Sequence, residues 1–308
     1  MADATAGDPA SSIKWTHRSL RTLRKGLRRQ GAQLSEKTIA RLLRARGFSL
    51  RTNRKRLART QDPQRDRQFR YLTRLRRLYV SLGLPVISVD TKKKELVGNF
   101  KNPGRSYRRQ ARAVLDHDFP SWALGRAVPY GIYDYAHNDG YMVVGTSHET
   151  PAFAGAAIRR WWLEVGRHRY PRARRLLIEA DAGGANDCRK WEWKVALQKL
   201  ADEFGLIITV THYPTGASKW NPIDHRMFSL ISGNWAGEPL VSYEVILNLI
   251  RGTRSSQGFH CRARLDTAEY PTKFKATPAT KERVRLKPRP VLPQWNYTIW
   301  PHSKSRKC

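Results

Sequence analysis

The stretch Val86-Ile87-Ser88-Val89-Asp90 is a short apolar run that ends in a carboxylate. A run of this length and β-branched content is typical of a buried strand. A second strand-like run, residues 175–181, also ends in a carboxylate, Asp181. A third carboxylate, Asp224, follows the turn Asn221-Pro222 and begins an apolar helical pattern. Three acidic side chains delivered in this way are what a two-metal phosphoryl-transfer site requires.

The segments around these carboxylates alternate between strand and helix patterns. Residues 95–100 form a predicted second strand that pairs with the first, and residues 130–145 form a predicted hairpin that turns at Asp139-Gly140. Helices are predicted at 150–166, 187–204, 223–231 and 242–250, with a further strand at 206–210. This is the element order of an RNase H-like fold, in which the first and fourth strands are neighbours. The sequence therefore predicts an α/β fold with a mixed central sheet flanked by helices, and it predicts that Asp90 and Asp181 meet.

The charge of the chain indicates a polyanionic partner. The 308 residues carry a formal net charge of +33 and give a sequence pI near 10.9, which favours nucleic acid. No apolar run reaches the roughly 18 residues that would span a bilayer, so a membrane protein is not expected. The three cysteines Cys188, Cys261 and Cys308 are scattered, which argues against a disulfide scaffold and suits a reducing cytoplasm. The predicted location is cytoplasmic, in association with a bacterial nucleoid.

A basic helical region precedes the predicted core. Leucines at helical spacing predict a helix over residues 19–31, and Ser35 caps a second predicted helix over residues 36–46. This pair is typical of a helix-turn-helix, although a small helical hairpin with a solvated basic face has the same pattern. The candidate DNA-binding residues are Arg41, Arg44, Arg46, Arg54 and Lys55, together with Lys219 and Arg226 beside the third carboxylate.

The predicted domain limits follow from these changes of composition. Residues 1–14 form a disordered leader, residues 15–82 the basic helical region and residues 83–260 the catalytic domain. Residues 261–308 form a basic extension that contains prolines, and from Thr277 we expect a mostly irregular path along the surface.

Each candidate residue has a plain structural alternative. Asp90 and Asp181 could cap the turns that follow them, and Asp224 suits the first turn of any helix. Glu179 lies two residues before Asp181 and is its main rival, since both side chains fall on one side of a strand. Asp134 and Asp139 are weaker candidates because they lie within the hairpin. For His212 and His225, a packed or hydrogen-bonded side chain is the favoured interpretation.

Three blocks of the sequence resemble a known family. They are residues 86–100, residues 179–186 and residues 212–226, the last of which contains Ser218-Lys219-Trp220-Asn221-Pro222-Ile223-Asp224. Together they resemble the catalytic blocks of the ISAzo-thirteen-type insertion-sequence transposases, a Rhodopirellula-type group of DDE transposases. The resemblance extends from about Trp15 to Pro301.

The resemblance implies an RNase H-like catalytic domain that cleaves DNA and transfers strands. It implies that Asp90, Asp181 and Asp224 bind two Mg²⁺ or Mn²⁺ ions, and it selects Asp181 over Glu179. The implied partners are double-stranded DNA at the terminal inverted repeats of the element, target DNA and, by analogy, a second copy of the chain on paired ends.

Two departures from the family pattern lead to alternative functions. The third acid of the family is usually glutamate, whereas this chain has Asp224, which is one methylene shorter. Family members usually carry a further helical DNA-binding region ahead of the matched part, so we expect an N-terminally truncated chain. The alternatives to an active transposase are an inactive remnant that only binds DNA and an RNase H-like nuclease that cuts RNA–DNA hybrids.

Overall fold

A computed structural model describes residues 6–7, 14–16, 18–51, 62–214, 216–217 and 220–303. The chain divides into two compact units, Met1–Leu57 and Ala58–Cys308. The first unit contains an antiparallel pair of short strands, β1 (Ala6–Gly7) and β2 (Lys14–Trp15), and the helices α1 (Leu20–Arg29) and α2 (Glu36–Ala45).

The helices of the first unit begin and end at the residues that the sequence indicates. The side chains of Ser19 and Ser35 each accept a hydrogen bond from the backbone N–H three residues further on, which caps α1 and α2. Gly31 and Gly47 follow the two helices with φ of +85° and +80°, a conformation that stops a helix and favours glycine. The two predicted helices are therefore present.

The second unit contains the remaining elements. In chain order its first half comprises α3 (Arg65–Ser81), β3 (Val86–Thr91), β4 (Glu95–Val97), a 3₁₀ turn (Pro120–Trp122), β5 (Gly125–Asp134), β6 (Asp139–Gly145), α4 (Pro151–Trp161), a π-helical turn (Trp162–Gly166) and α5 (Arg167–Arg169). Its second half comprises β7 (Arg175–Ala180), a 3₁₀ turn (Gly184–Asn186), α6 (Trp191–Phe204), β8 (Ile207–His212), a π-helical turn (Asp224–Phe228), α7 (Ser229–Asn234), α8 (Tyr243–Arg251), β9 (His260–Asp266), α9 (Pro278–Glu282), β10 (Leu286–Pro288) and β11 (Asn296–Ile299).

The strands form one mixed sheet with the order β10-β11-β8-β7-β3-β5-β6-β9, and β4 joins it beside β5. The hairpin β5–β6 is antiparallel and β5 runs antiparallel to β3, whereas β3, β7 and β8 are parallel to one another. This is the predicted RNase H-like arrangement, with the first strand between the hairpin and the later parallel strands. The prediction that the first and fourth strands are neighbours is confirmed by the β3–β7 pair.

Both faces of the sheet are covered by helices, so the central strands are buried on each side. Along β6, Tyr141 and Val143 pack on the face covered by α4 and α6. The alternate residues Met142 and Val144 pack on the other face, against the segment that begins at Ile223 and against α8. This alternation fixes the orientation of each strand, because a shift by one residue would exchange the two faces.

Two local predictions within the core are wrong. The strand at residues 95–97 pairs with β5 and not with the first strand. The hairpin turns at residues 135–138 rather than at Asp139-Gly140, because Asp139 already pairs with Asp134 across the two strands. Asn138, with φ of +50°, supplies the left-handed conformation that the sequence pattern assigned to the Asp-Gly pair.

The C-terminal residues do not follow the irregular path predicted from Thr277. β11 pairs with β8 and all four of its residues are buried, and β10 pairs with β11 in turn. At the other end of the sheet β9 lies beside β6. The tail is structured because its strands cover sheet edges that would otherwise expose unpaired backbone groups. The domain limits proposed after residues 14, 82 and 260 stay predictions.

Candidate active site

The ends of two neighbouring parallel strands bring Asp90 and Asp181 to the same end of the sheet. Val89 of β3 pairs with Ala180 of β7, so that the next residue of each chain segment is an aspartate. Both aspartates are partly buried. The structure thus brings together the two carboxylates that the sequence placed at the ends of separate strands.

Asp224 approaches the same region from a helix. It is the first residue of the π-helical turn, and its backbone N–H donates to the carbonyl of Asn221 at 3.1 Å. Ile223 is completely buried and anchors this helix start against the sheet. Burial is the main cause of the raised pKa of Asp90 and of Asp181, and the negative charge of Asp224 adds a smaller contribution to each.

The environment disfavours the charged form of all three carboxylates. Burial first, and then the charge of Asp181, raise the pKa of Asp90 to about 8, although the N–H of Thr91 donates to it at 2.7 Å. Burial raises the pKa of Asp181 to about 6, and burial also raises that of Asp224. Among the described residues, no Lys, Arg or His forms a salt bridge with Asp90 or Asp181. Within the described chain, Asp90 and Asp181 are therefore buried without an ion pair, whereas His225 acts against the rise in the pKa of Asp224.

An open cavity of about 460 Å³ lies in front of Asp90 and Asp181, and its lining contains a third carboxylate, Glu149, but not Asp224. Glu149 binds Lys94 at 2.8 Å and accepts a hydrogen bond from the N–H of Ala185 at 3.3 Å. Sequence reasoning missed Glu149 and Lys94, because neither ends a strand or begins a helix. The only available signal was that Glu149 directly precedes the helix cap Thr150.

Asn221 links the three elements that carry the aspartates. Its side chain is completely buried, and its Nδ2 donates to the Oδ1 of Asp181 at 3.3 Å. Its Oδ1 accepts a short hydrogen bond from the hydroxyl of Ser88, two residues before Asp90 on β3. One amide thus joins β3, the end of β7 and the turn before Asp224. The sequence had indicated only a turn at this position.

His212 is a buried structural residue, in agreement with its favoured interpretation. Burial lowers its pKa to about 4, so the ring is neutral. Its Nδ1 lies 2.9 Å from the carbonyl of Asp181, which only accepts hydrogen bonds, so Nδ1 carries the proton. Its Nε2 then accepts from the hydroxyl of Tyr297 at 3.1 Å. His225 is exposed.

The rival acids serve other contacts. Glu179 is fully buried and pairs with Arg76, whose Nε donates to it at 2.8 Å. Asp134 and Asp139 share the guanidinium of Arg169, at 2.8 and 2.6 Å. Each of these acids is neutralised within the fold and stands apart from the open cavity, which favours Asp181 over Glu179.

The predicted DNA-binding residues are only partly within the described chain. Arg41, Arg44 and Arg46 are exposed on and just after α2. Arg226 is exposed, and its guanidinium lies 5.6 Å from the centre of the Tyr135 ring. Three candidates lie outside the described residues, namely Arg54, Lys55 and Lys219.

The chemistry of the donor set fits a hard divalent cation. Carboxylate oxygens are the ligands that Mg²⁺ and Mn²⁺ prefer, and among the described residues neither Asp90 nor Asp181 is tied up in a salt bridge. Within the described part of the chain, no three Asp, Glu, His or Cys side chains are already gathered closely enough to hold a metal ion. The acids are thus poised around an open space rather than closed into a cluster.

In the same part of the chain, no helix is long and apolar enough to cross a membrane.

Comparisons with known proteins place the chain beside transposases. The family model described as "Rhodopirellula transposase DDE domain" matches residues 1–301. No curated protein matches the chain. Similar solved structures include the Mos1 transposase paired-end complex with left transposon end, at 14% identity over 78% of this chain and 72% of that chain, with a TM-score of 0.45. The Mos1 mariner paired-end complex with Mn is 15% identical over 74% of this chain and 64% of that chain, with a TM-score of 0.44.

Proposed function

The chain belongs to the Rhodopirellula transposase DDE domain family, and we propose that Asp90, Asp181 and Asp224 are the metal-binding acids of its active site. The protein is a DDE transposase, an enzyme of DNA transposition that cleaves phosphodiester bonds and transfers strands. DNA is accordingly its partner, and DDE transposases use divalent metal ions. The roles of the individual residues, the number of ions and the DNA sites are part of the proposal.

The observation that supports the proposal is that Asp90 and Asp181 lie at one end of the sheet and that neither forms a salt bridge among the described residues. Asp90 and Asp181 occupy equivalent ends of parallel strands, and Asp224 adds its charge from the helix. Strongly perturbed acids in a cavity are typical of catalytic sites.

Two Mg²⁺ or Mn²⁺ ions held by these acids would activate an attacking oxygen and stabilise the leaving oxygen in an in-line displacement. Asp90, Asp181 and Asp224 would hold the ions through deprotonated carboxylates, so cation binding would release protons from the acids with raised pKa. Asn221 holds the carboxylate of Asp181 in place. Lys93 lines the cavity from the loop after β3, where its ammonium can attract a phosphate.

The proposed substrates are the terminal inverted repeats of an insertion sequence and a target DNA. Two copies of the chain are proposed to act on paired ends, and in a bacterial cell they would be associated with the nucleoid. The exposed arginines Arg41, Arg44 and Arg46 are proposed to contact DNA phosphates.

Nicking of a plasmid that carries the element ends tests the proposal. With Mg²⁺ or Mn²⁺ present, we expect Asp90→Asn, Asp181→Asn and Asp224→Asn each to lower the cleavage rate by at least about 10³-fold, which corresponds to about 4 kcal/mol of transition-state stabilisation. Asp202→Asn is the matched control, because this aspartate lies on α6 and hydrogen-bonds Gln198 and His302.

Three other outcomes would contradict parts of the proposal. Variants that cut as fast as the parent would exclude these acids from the site. DNA binding without cleavage by the parent would favour an inactive remnant. Faster cleavage of an RNA–DNA hybrid than of duplex DNA would favour an RNase H-like nuclease.

A further inference from the structure

Helix α3 is attached to the sheet so that its N-terminal end lies at the carboxylate end of the strands. The amide nitrogen of Gln68 donates to the carbonyl of His212 at 2.8 Å, at the last residue of β8. Three turns later, the hydroxyl of Tyr79 donates to Thr209, nearer the start of β8, at 3.0 Å. α3 therefore runs antiparallel to β8, and Gln68 lies beside the segment that holds Asp181 through His212.

The outward face of α3 carries a stripe of arginines, namely Arg67, Arg70, Arg74 and Arg77. Their spacing places them within an arc of about 80° on the helix surface. The buried residues Gln68, Leu72, Leu75 and Tyr79 lie on the opposite side. All four stripe arginines are exposed.

The stripe is not neutralised within the fold. Among the described residues, no acidic side chain forms a salt bridge with any of the four arginines. Arg70 donates a long hydrogen bond of 3.4 Å to the carbonyl of Asp66, and Asp66 is the one acid in the sequence of α3. By contrast, Arg76 of the same helix is used inside the fold, in its pair with Glu179.

An open depression runs along the stripe, and one of the residues that line it, Phe69, contacts Trp220. Its volume is about 430 Å³, and it is lined by Phe69, Arg70, Thr73, Arg74 and Arg77. The ring of Phe69 meets the edge of the Trp220 ring at 6.2 Å between centres, and Trp220 is 54% exposed. Since Trp220 directly precedes Asn221, the depression leads toward the segment that carries Asp224.

The dimensions and charge of this surface suit a DNA backbone. From Arg67 to Arg77 the helix rises by about 15 Å, which equals about four base-pair steps of a duplex. Arginines spaced along such a path form charge-assisted hydrogen bonds with successive phosphates. A hydroxyl at Thr73 and an aromatic surface at Phe69 are compatible with the sugar–phosphate backbone.

We propose that this stripe and its depression form the binding track for the phosphate backbone of the duplex DNA that enters the carboxylate site. The inference rests on the proposed function, and it assigns DNA binding to a further surface of the second unit. The rigid attachment of α3 to β8 would set the position of the bound backbone relative to the acids.

The test measures the binding of the full chain to a fluorescent 20-base-pair duplex of arbitrary sequence, without metal, across a range of salt concentrations. Arg70→Gln/Arg74→Gln is the test variant. Arg172→Gln/Arg174→Gln removes the same charge from exposed positions just before β7, at the opposite end of that strand from Asp181.

We expect the test variant to bind at least about tenfold more weakly near 100 mM salt, with the slope of log K against log salt smaller by about 2. The control variant should keep the parent's slope. Equal losses in both variants, or an unchanged slope in the test variant, would overturn the inference. Stronger, stripe-dependent binding of a duplex RNA of the same sequence would also overturn it, since the track would then belong to another nucleic acid.

This assay is independent of the cleavage assay. A parent chain that binds through the stripe but never cuts would contradict the catalytic proposal alone. If the parent chain cuts normally, and the stripe variant binds and cuts as well as the parent, only the DNA track is contradicted.

Discussion

Carboxylates in two regions of the molecule have opposite surroundings. On the α3 side of β7, Glu179 is completely buried and receives the guanidinium of Arg76 and the hydroxyl of Tyr213. At the ends of β3 and β7, Asp90 and Asp181 lie next to each other. Within the described chain, no cation forms a salt bridge with either of them. The fold thus pairs Glu179 with a cation, whereas Asp90 and Asp181 form no salt bridge with the described residues.

The cost of each arrangement differs accordingly. A buried acid with its partner is tolerated, but a buried acid that loses its partner destabilises the fold strongly. At the site, burial is the main cause of the raised pKa values, and the charges of Asp181 and Asp224 add to the rise at Asp90, so ionising Asp90 in the metal-free protein costs stability that a bound cation would restore. Three predictions test this contrast, beginning with the largest expected effect.

Removing the charge of Glu179 should affect stability rather than chemistry. We expect Glu179→Gln to lower the free energy of unfolding by about 3 kcal/mol, because it leaves the buried guanidinium of Arg76 without its anion. Denaturant unfolding followed by circular dichroism measures this loss. In the control Glu203→Gln, the partner Arg159 is 51% exposed, so the loss should stay below about 1 kcal/mol.

The opposite result would remove the contrast between Glu179 and Asp181. If Glu179→Gln kept the stability of the parent but abolished metal-dependent cleavage, Glu179 would be the catalytic acid and the assignment of Asp181 would fail.

Loss of the amide at position 221 should weaken catalysis through the orientation of Asp181. We expect Asn221→Ala to reduce cleavage by about 10–100-fold and to raise the Mn²⁺ concentration needed for half-maximal cleavage, as the loss of an outer-shell hydrogen bond to a metal ligand does. Ser88→Ala, which leaves the bond to Asp181 intact, should have a smaller effect.

A second buried asparagine provides a control that distinguishes an effect on the orientation of Asp181 from an effect on the stability of the fold. Asn296 is also completely buried, and it hydrogen-bonds Gln68. Asn296→Ala should lower the stability but leave the Mn²⁺ requirement unchanged. If both variants changed that requirement equally, Asn221 would have no specific role at the site.

The repulsion at the site should appear in the pH dependence of stability without metal. Asp90 and Asp181 have folded-state pKa values raised to about 8 and about 6, so between about pH 4 and 8 the folded state binds more protons than the unfolded chain. Stability then falls as pH rises through this window. Above pH 8 we expect Asp90→Asn to be more stable than the parent by at least about 1 kcal/mol, or about 2–4 °C in Tm.

Thermal unfolding in chelator at pH 5 and pH 8.5 measures this difference. Asp202→Asn should show no gain that depends on pH. Added Mn²⁺ should stabilise the parent at pH 8.5 more than it stabilises Asp90→Asn. Parallel stability curves for the parent and Asp90→Asn would show that the site holds no stored repulsion.

The strand framework of the site was predictable because it depends on short-range patterns. Apolar runs of strand length predicted β3 and β7, and the order of elements predicted that they are parallel neighbours. Once two parallel strands are adjacent, their C-terminal ends meet at one edge of the sheet, which brings Asp90 and Asp181 together. The Asn-Pro turn predicted that Asp224 lies near the start of a helix, as it does, and its role beside the other two acids stays a prediction.

Other features depended on partners far away in the chain. β4 pairs with β5 although the first strand is nearer in sequence, and β11 becomes a buried strand only because β8 offers a free edge. Glu149 joins the cavity because the loop before α4 lies against Lys94 and Ala185. Residues of these types are common in loops and turns, so their local patterns carry no sign of such contacts.

The amino-acid sequence by itself determined the class of the fold and the polyanionic partner and predicted three candidate acids, because periodicity, net charge and residue order are properties of the chain. Only the tertiary structure decided which carboxylates are neutralised, since a counter-charge such as Arg76 reaches Glu179 across 103 positions of sequence. Burial and charge pairing are set by the packing of distant segments. For that reason the contrast between Glu179 and Asp181 emerges only in the folded molecule.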